Sequence, residues 1–401
     1  MTDAPAQRMI LFATPHRGMF FTGMLQSVLV MLPWWIELVL RTRDGGLDWP
    51  WPAVWWHALM LIYGVFPFFI FGFLLTVIPR WQNQPDLQRR DYAWIWVALT
   101  TGWLLLYAGF VVPALRVGGL LVVACGWAGV CVRLLPIALL PGRGRLHAMP
   151  AWLALFAGWV GWVLLIGMAL DGDGRWALWA IDIGLFAFLL PIFLCVCHRM
   201  VPFFSNSVLP DYQMVRPAWA LWVLLAGAVL HGLLNRMDLA AWRWLVDLPM
   251  AVLGLWLSLQ WRLFDSFKVK LLAMLHVGFA WFWIGMALFG LQSLLPWFGI
   301  SALGLAPVHA LVIGMFSVLV IGMVSRVTLG HSGAPLAADG LTWYLCWALQ
   351  LVVVVRILAE LMPGRSLWLV AASTGWLCVF VLWTLRYLPS FVRPRVDGKA
   401  G

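Results

Sequence analysis

Charge is what this sequence has least of: Asp, Glu, Lys and Arg make up 10% of its 401 residues, where a soluble domain carries about 25%. So little polar surface cannot coat a folded chain against water, which excludes an ordinary soluble globular protein. Disulfide-forming cysteine is lacking too. The six cysteines (Cys125, Cys131, Cys195, Cys197, Cys346 and Cys378) all fall in apolar stretches and none in an exported loop, which excludes a disulfide framework. The run Cys195-Val196-Cys197-His198 is one residue short of a c-type haem attachment motif and reads as small residues packing a helix. No stretch is left over for a separate soluble domain. The first apolar run also has no small-residue cleavage site, so it is expected to be a retained helix rather than a signal peptide.

What the chain does have is apolar sequence: 64% of its residues are hydrophobic and its mean hydropathy is +0.92. The bilayer is then its solvent, and each crossing segment must satisfy its own backbone hydrogen bonds as a helix. The apolar runs are long and continuous, unlike the short alternating strands of a barrel. A span needs roughly 20 apolar residues. That length places helices near 20–40, 54–79, 93–115, 117–140, 150–170, 176–198, 217–235, 242–262, 271–295, 304–325, 341–362 and 366–388. The expected fold is all-α and multi-pass, a single polytopic domain over 1–401 with about twelve transmembrane helices.

Positive charge predicts orientation, because cytoplasmic loops carry the excess of Lys and Arg. With the N-terminus on one side, that side holds 17 of the 26 basic residues, from Arg8, Arg80, Arg89 and Arg143 through Arg216, Arg262, Lys268 and Lys270 to Arg386 and Lys399. The other side holds 7 (Arg41, Arg43, Arg116, Arg175, Arg236, Arg243 and Arg365), while Arg133 and Arg356 lie inside spans. Both termini are therefore expected in the cytoplasm of a bacterial inner membrane. The net charge of +10 is explained by topology, and no basic patch calls for nucleic acid.

A polar side chain in the bilayer interior is costly and is a functional candidate by default. Histidine is the main signal. His57 opens the second helix and His309 the tenth, both at the predicted outer face, whereas His16, His198, His276 and His331 lie at predicted inner ends. His147 falls in a basic loop, where it is expected to be solvated, and His231 ends the seventh helix as an interfacial histidine. His309 and His331 are 22 residues apart, about 33 Å along a helix, so they cannot share one metal. Any ligand set is two-tiered: an outer pair and an inner cluster. Neutral imidazole ligates haem iron and copper, and facing helices readily supply two of them.

A weak internal repeat runs through the same helices. The second and tenth both begin His-Ala-Leu, at His57 and at His309. The second, sixth and tenth each carry an arginine near the predicted inner end, at Arg80, Arg199 and Arg326. Asp182 precedes Arg199 by 17 residues, and His309 precedes Arg326 by the same 17; in the second helix the interval is 23. The period is four helices, which suggests three four-helix arcs. Elsewhere Arg356 and Glu360 are spaced to pair on one helix face, and Arg133, Asp182 and Glu37 could line a proton or water path. Tryptophans mark interfaces, above all Trp49, Trp51, Trp55 and Trp56 just before His57.

These segments resemble the NnrS family, multi-helix bacterial membrane proteins that bind haem and copper and are associated with nitric oxide metabolism. The resemblance rests on Pro15-His16-Arg17 with Phe20-Phe21; Trp56-His57-Ala58; Phe71-Gly72-Phe73-Leu74-Leu75-Thr76; and His198-Arg199-Met200-Val201-Pro202-Phe203-Phe204. It continues through Leu275-His276 with Ala280-Trp281, His309-Ala310, and Ser325-Arg326-Val327-Thr328-Leu329-Gly330-His331-Ser332-Gly333. In one place the chain departs from the family. Many members begin the second helix with histidine–alanine–histidine–glutamate–methionine, and here only the first histidine is present, as His57, followed by Leu59, Met60 and Leu61. A looser resemblance links the chain to the catalytic subunit of haem–copper oxidases, whose low-spin haem is held by histidines of helices two and ten, the places of His57 and His309. The adjacent histidine pair of the oxidase copper site is absent.

The resemblance implies a haem b, copper as a second metal, nitric oxide as the small gaseous ligand, and a quinol or other electron donor. It points to a nitric oxide-processing oxidoreductase or a protein of the nitric oxide response. His57 and His309 would hold one haem. His16, His198, His276 and His331 would form an inner haem or metal site, with Arg17, Arg199 and Arg326 facing propionates. Two other functions fit the same composition: a transporter or channel with a histidine-lined path, and an assembly factor that hands on haem or metal.

Overall fold

A computed structural model describes residues 10–396; Arg8 and Lys399, used in the charge count, lie outside the described residues. Among these the chain is helical, with no strand. Its main helices are α1 (Pro15–Arg41), α2 (Ala53–Trp81), α3 (Arg89–Ala108), α4 (Leu115–Leu139), α5 (Arg145–Asp171) and α6 (Gly174–Val208). They continue as α7 (Ala218–Arg236), α8 (Ala240–Gln260), α9 (Lys270–Phe298), α10 (Ala306–Ser332), α11 (Gly340–Leu358) and α12 (Arg365–Tyr387). Eleven are long and apolar enough to cross a membrane. The remaining one, α3, has the length, and its first turn carries Arg89, Arg90 and Asp91. The chain is an all-α, multi-pass membrane protein.

Helix ends follow local chemistry. Gln88 and Asp91 form a reciprocal capping box at the start of α3, satisfying backbone donors that the first turn leaves without partners. Asp173 and Asp339 cap α6 and α11 through Arg175 N and Thr342 N. Gly172 and Gly333 end α5 and α10 in the left-handed conformation, at φ 77° and 74°. Arg116 does not separate the third and fourth spans: α3 ends at Ala108, and Arg116 sits in the first turn of α4, its Nε donating to Gly109 O at 2.8 Å.

Two helices run further than charge alone predicts. Helix α6 continues to Val208 and α10 to Ser332, past Arg199 and Arg326. A long cation can keep its head near the interface while its stem lies along the helix, so arginine does not end a helix. His198 is therefore embedded in a helix rather than terminal. His147, expected in a solvated loop, is instead buried in the first turn of α5 beside Trp81 at 6.3 Å between rings.

The described helices group into two compact units. One comprises 10–30, 48–192 and 388–396, and the other 31–47 and 193–387. In the first, α3 and α4 approach backbone to backbone, because lipid offers no hydrophobic drive and small residues let helices close. A Cβ on Gly119 would lie 2.9 Å from Gly102 O. The core of this unit is aromatic: Tyr63, Trp127, Trp162 and Phe188 are buried together, and the Trp127 and Trp162 indoles donate to Leu155 O and Leu120 O. In the second unit, α9 packs on α8 and α10, where Gly254 admits Phe282 and Gly314 admits Trp281.

Candidate functional site

Helices α2, α6 and α10 share an irregularity that composition does not show. Each contains a π-helical stretch, at Leu61–Val65, Ile183–Leu189 and Ala310–Ser317. Such stretches are rare and frequently mark functional sites. In α6 the stretch starts directly after Asp182 and in α10 directly after His309. The shared 17-residue interval to Arg199 and Arg326 thus coincides with a shared backbone feature. In α2 the stretch follows His57 by one helical turn. The four-helix period read from the residues reappears in the main chain.

The local sequence contributes to these stretches. Pro67 and Pro191 follow the first two and have no N–H to donate back, so a preceding carbonyl is left without its α-helical partner. In α10 no proline follows; there the Ser317 hydroxyl donates to Val312 O at 2.9 Å. Each stretch also holds a glycine against a large side chain. A Cβ at Gly64 would come within 2.6 Å of Trp103, at Gly184 within 2.5 Å of Ile62, and at Gly314 within 2.5 Å of Trp281. In the first unit the stretches of α2 and α6 meet, and Tyr63 donates its hydroxyl to Ala180 O at 2.7 Å.

His309, in the turn before the α10 stretch, is half-buried, and its Nδ1 lies 2.9 Å from Leu305 O. A carbonyl only accepts, so Nδ1 carries the proton and Nε2 carries the lone pair. A backbone carbonyl fixing one ring nitrogen so that the other can ligate is the usual support of a metal-bound histidine. His57 is also half-buried, in the first turns of α2. It belongs to the first unit and His309 to the second.

The inner histidines are drawn from both units. His16, in the first, is buried against Phe20, with Thr14 Oγ1 3.5 Å from its Nε2. The other three are in the second. His198 Nε2 donates to Pro217 O at 3.1 Å. His276 Nε2 meets Ser205 Oγ at 3.0 Å, and that hydroxyl also reaches Trp261 O at 3.2 Å. His331 is half-buried in the last turn of α10. Among the described residues, no three His, Cys, Asp or Glu side chains converge as a metal-holding group.

The arginines have protein partners of their own. Arg17 is buried and donates to Phe391 O and Arg393 O at 3.4 and 3.1 Å, fastening the C-terminal segment. The Arg326 guanidinium lies over the Phe204 ring, 3.9 Å from its centroid, a cation–π contact. Arg199 is half-buried on α6. Arg133 pairs with Asp91 at 3.1 Å, and Glu37 with Arg41 at 2.7 Å and Leu47 N. Arg356 and Glu360 pair at 2.8 Å, as their spacing predicts, and Arg365 joins them. None of the six cysteines is in a disulfide.

Reading the residues alone misses one group. His231 is fully buried in the protein, its Nδ1 2.7 Å from Asp247 Oδ1. An aspartate in an apolar helix 16 residues after a histidine is the signal that the sequence carries. Only the packing of α7 on α8 shows that the two meet.

No curated protein matches the chain. A family model does: the one described as NnrS protein matches residues 10–395, a range that takes in every segment on which the resemblance rests. The protein is a member of the NnrS family.

Proposed function

We propose that this chain is a haem-binding membrane protein of the nitric oxide response, in which His57 and His309 would be histidines that hold haem b. The observation that supports it best is at His309, where the Nδ1–H···O contact to Leu305 O fixes the orientation of the ring. A bound haem would supply a redox-active iron. The chain's own part is to fix ring orientation, supply apolar surface to the macrocycle and exclude water. Family membership supports the link to nitric oxide.

Copper has less behind it. The family's second histidine and its glutamate are Leu59 and Met60 in this chain. No three-ligand group forms among the described residues, and no step is assigned to a second metal. The inner histidines fit a second haem better, because neighbouring Arg199 and Arg326 would disfavour a bare cation and favour propionates. The threefold pattern of π stretches also favours a cofactor scaffold over a transporter, whose broken helices come in paired halves.

The deciding experiment is an optical spectrum of the purified full-length protein. Alanine at His57 or His309 is expected to abolish or alter the low-spin haem signature, while alanine at both His198 and His331 lowers total haem per chain and leaves that signature intact. Spectra unchanged in both His57→Ala and His309→Ala would defeat the reading.

A further inference from the structure

The second unit buries an ionisable pair that the haem reading does not use. His231, near the end of α7, and Asp247, near the start of α8, are both 0% exposed. Both lie in helices apolar enough to cross the membrane. Nδ1 of the histidine is 2.7 Å from Asp247 Oδ1, while Asp247 Oδ2 has no hydrogen-bond partner among the described residues. The edge of the Phe289 ring, on α9, closes the site at 4.6 Å from the imidazole centroid.

Such a pair is not explained by stability. Apolar residues of similar volume are often as stable as a buried pair, or more stable. The same interface uses them one turn away, where Met250 fills the space over Gly227. A carboxylate and a neutral imidazole together bury a net negative charge, which low-dielectric surroundings penalise. Taking up one proton removes that charge. Of the charged groups nearby, Arg243 is itself buried, Arg236 is half-buried and Asp238 is exposed. Arg243, in the turn before the helical body of α8, lies over the other part of Phe289 at 5.7 Å; it donates to Asn235 Oδ1 at 3.0 Å and Gln292 Oε1 at 3.4 Å. Gln292 in turn donates to Gly304 O in the exposed α9–α10 connection. Arg236 ends α7, Asp238 is exposed in the turn, and α9 contributes Gln292 and Ser293 but no charged side chain at this level.

We propose that His231 and Asp247 form a proton-binding site near the α7–α8 connection. A hydronium ion gives one proton to the pair and leaves water. The imidazole–carboxylate pair becomes imidazolium–carboxylate, no electron moves, and the site passes from a net charge of minus one to neutral. The charge count predicts this face to be non-cytoplasmic.

The test uses the full-length protein in lipid nanodiscs, with infrared difference spectra between acid and alkaline buffer. Wild type is expected to show linked carboxylate and imidazole bands, reversible and worth one proton per chain, that both His231→Gln and Asp247→Asn remove together. Folded single variants that keep both bands would overturn the proposal. If single variants fail to fold, the His231→Leu/Asp247→Leu double variant serves in their place, with loss of the bands in support and their persistence against. Wild type labelled with 15N-histidine and 13C-aspartate needs no variant. The His–Asp pair coupled through space must switch between neutral and charged imidazole with pH, and a pair that never switches ends the proposal.

Discussion

Both units bury ionisable side chains, but their interiors differ. In the first, the interior around Tyr63, Trp103, Trp127 and Trp162 is aromatic, and Tyr63, Trp127 and Trp162 donate to backbone carbonyls. In the second, the interior holds ionisable side chains that meet one another or a hydroxyl: His231 with Asp247, Arg356 with Glu360, and His276 with Ser205. Apolar helices can close by shape alone, through glycine and aromatic rings. Burying charge demands a partner, and leaving one member alone costs more than the pair gains. The first unit is therefore held mainly by fit and the second partly by pairing, and the two should fail in different ways.

The largest effect is expected in the second unit. Glu360→Ala leaves the Arg356 guanidinium buried without its carboxylate and should cost about 3–5 kcal/mol, read as a lower midpoint in a denaturant or thermal melt of the detergent-solubilised protein. Leucine at both positions should recover most of that loss. A double variant as unstable as the single would show that pairing is not what holds this region. In the first unit the sharper probe is steric. Gly119→Leu drives a side chain against Gly102 O and Leu106, and should cost about 1–3 kcal/mol, the usual range for overpacking. At Gly118 an added Cβ would meet nothing within 4 Å, so leucine there should bring no measurable change. Equal behaviour of the two glycines would break the comparison.

The smallest effect is at a helix end. Asp339 caps α11 through Thr342 N at 2.8 Å and pairs with Arg386 at 2.7 Å. Burial pushes its carboxyl up, but the Thr342 hydroxyl, the Thr342 N–H and Arg386 together outweigh burial and hold it below the usual carboxylate value. A lowered folded-state pKa means that the stabilisation is present above the ordinary carboxylate range and is lost as pH falls through the folded value. Asp339→Ala should cost about 1 kcal/mol at neutral pH and progressively less in acid. A cost that stays constant into acid would mean that the carboxylate charge contributes nothing to the cap.

Much of this is legible in the residues. Long apolar runs set the number of helices, because a span is dictated by bilayer thickness and needs no knowledge of neighbours. Histidines at the starts of the second and tenth helices stand out because polar side chains are expensive there. Charge misleads about helix ends, since Arg199 and Arg326 lie within helices that continue past them. It misleads about His147 for a related reason: the basic residues around it suggest a loop, while its own ring is buried beside Trp81.

By itself the sequence determined the solvent, the fold class, the approximate positions of the spans and the family, since each depends on local composition or on short ordered motifs. Tertiary structure alone decided the rest. Whether a proline in an apolar run kinks a helix or widens it into a π turn depends on what receives the orphaned carbonyl, and on whether Trp103 or Trp281 has room to pack against a glycine. Whether His231 is exposed or half of a buried pair depends on which face α8 turns toward α7. Those outcomes are set by contacts between residues far apart in the chain, and such contacts exist only once the helices have packed.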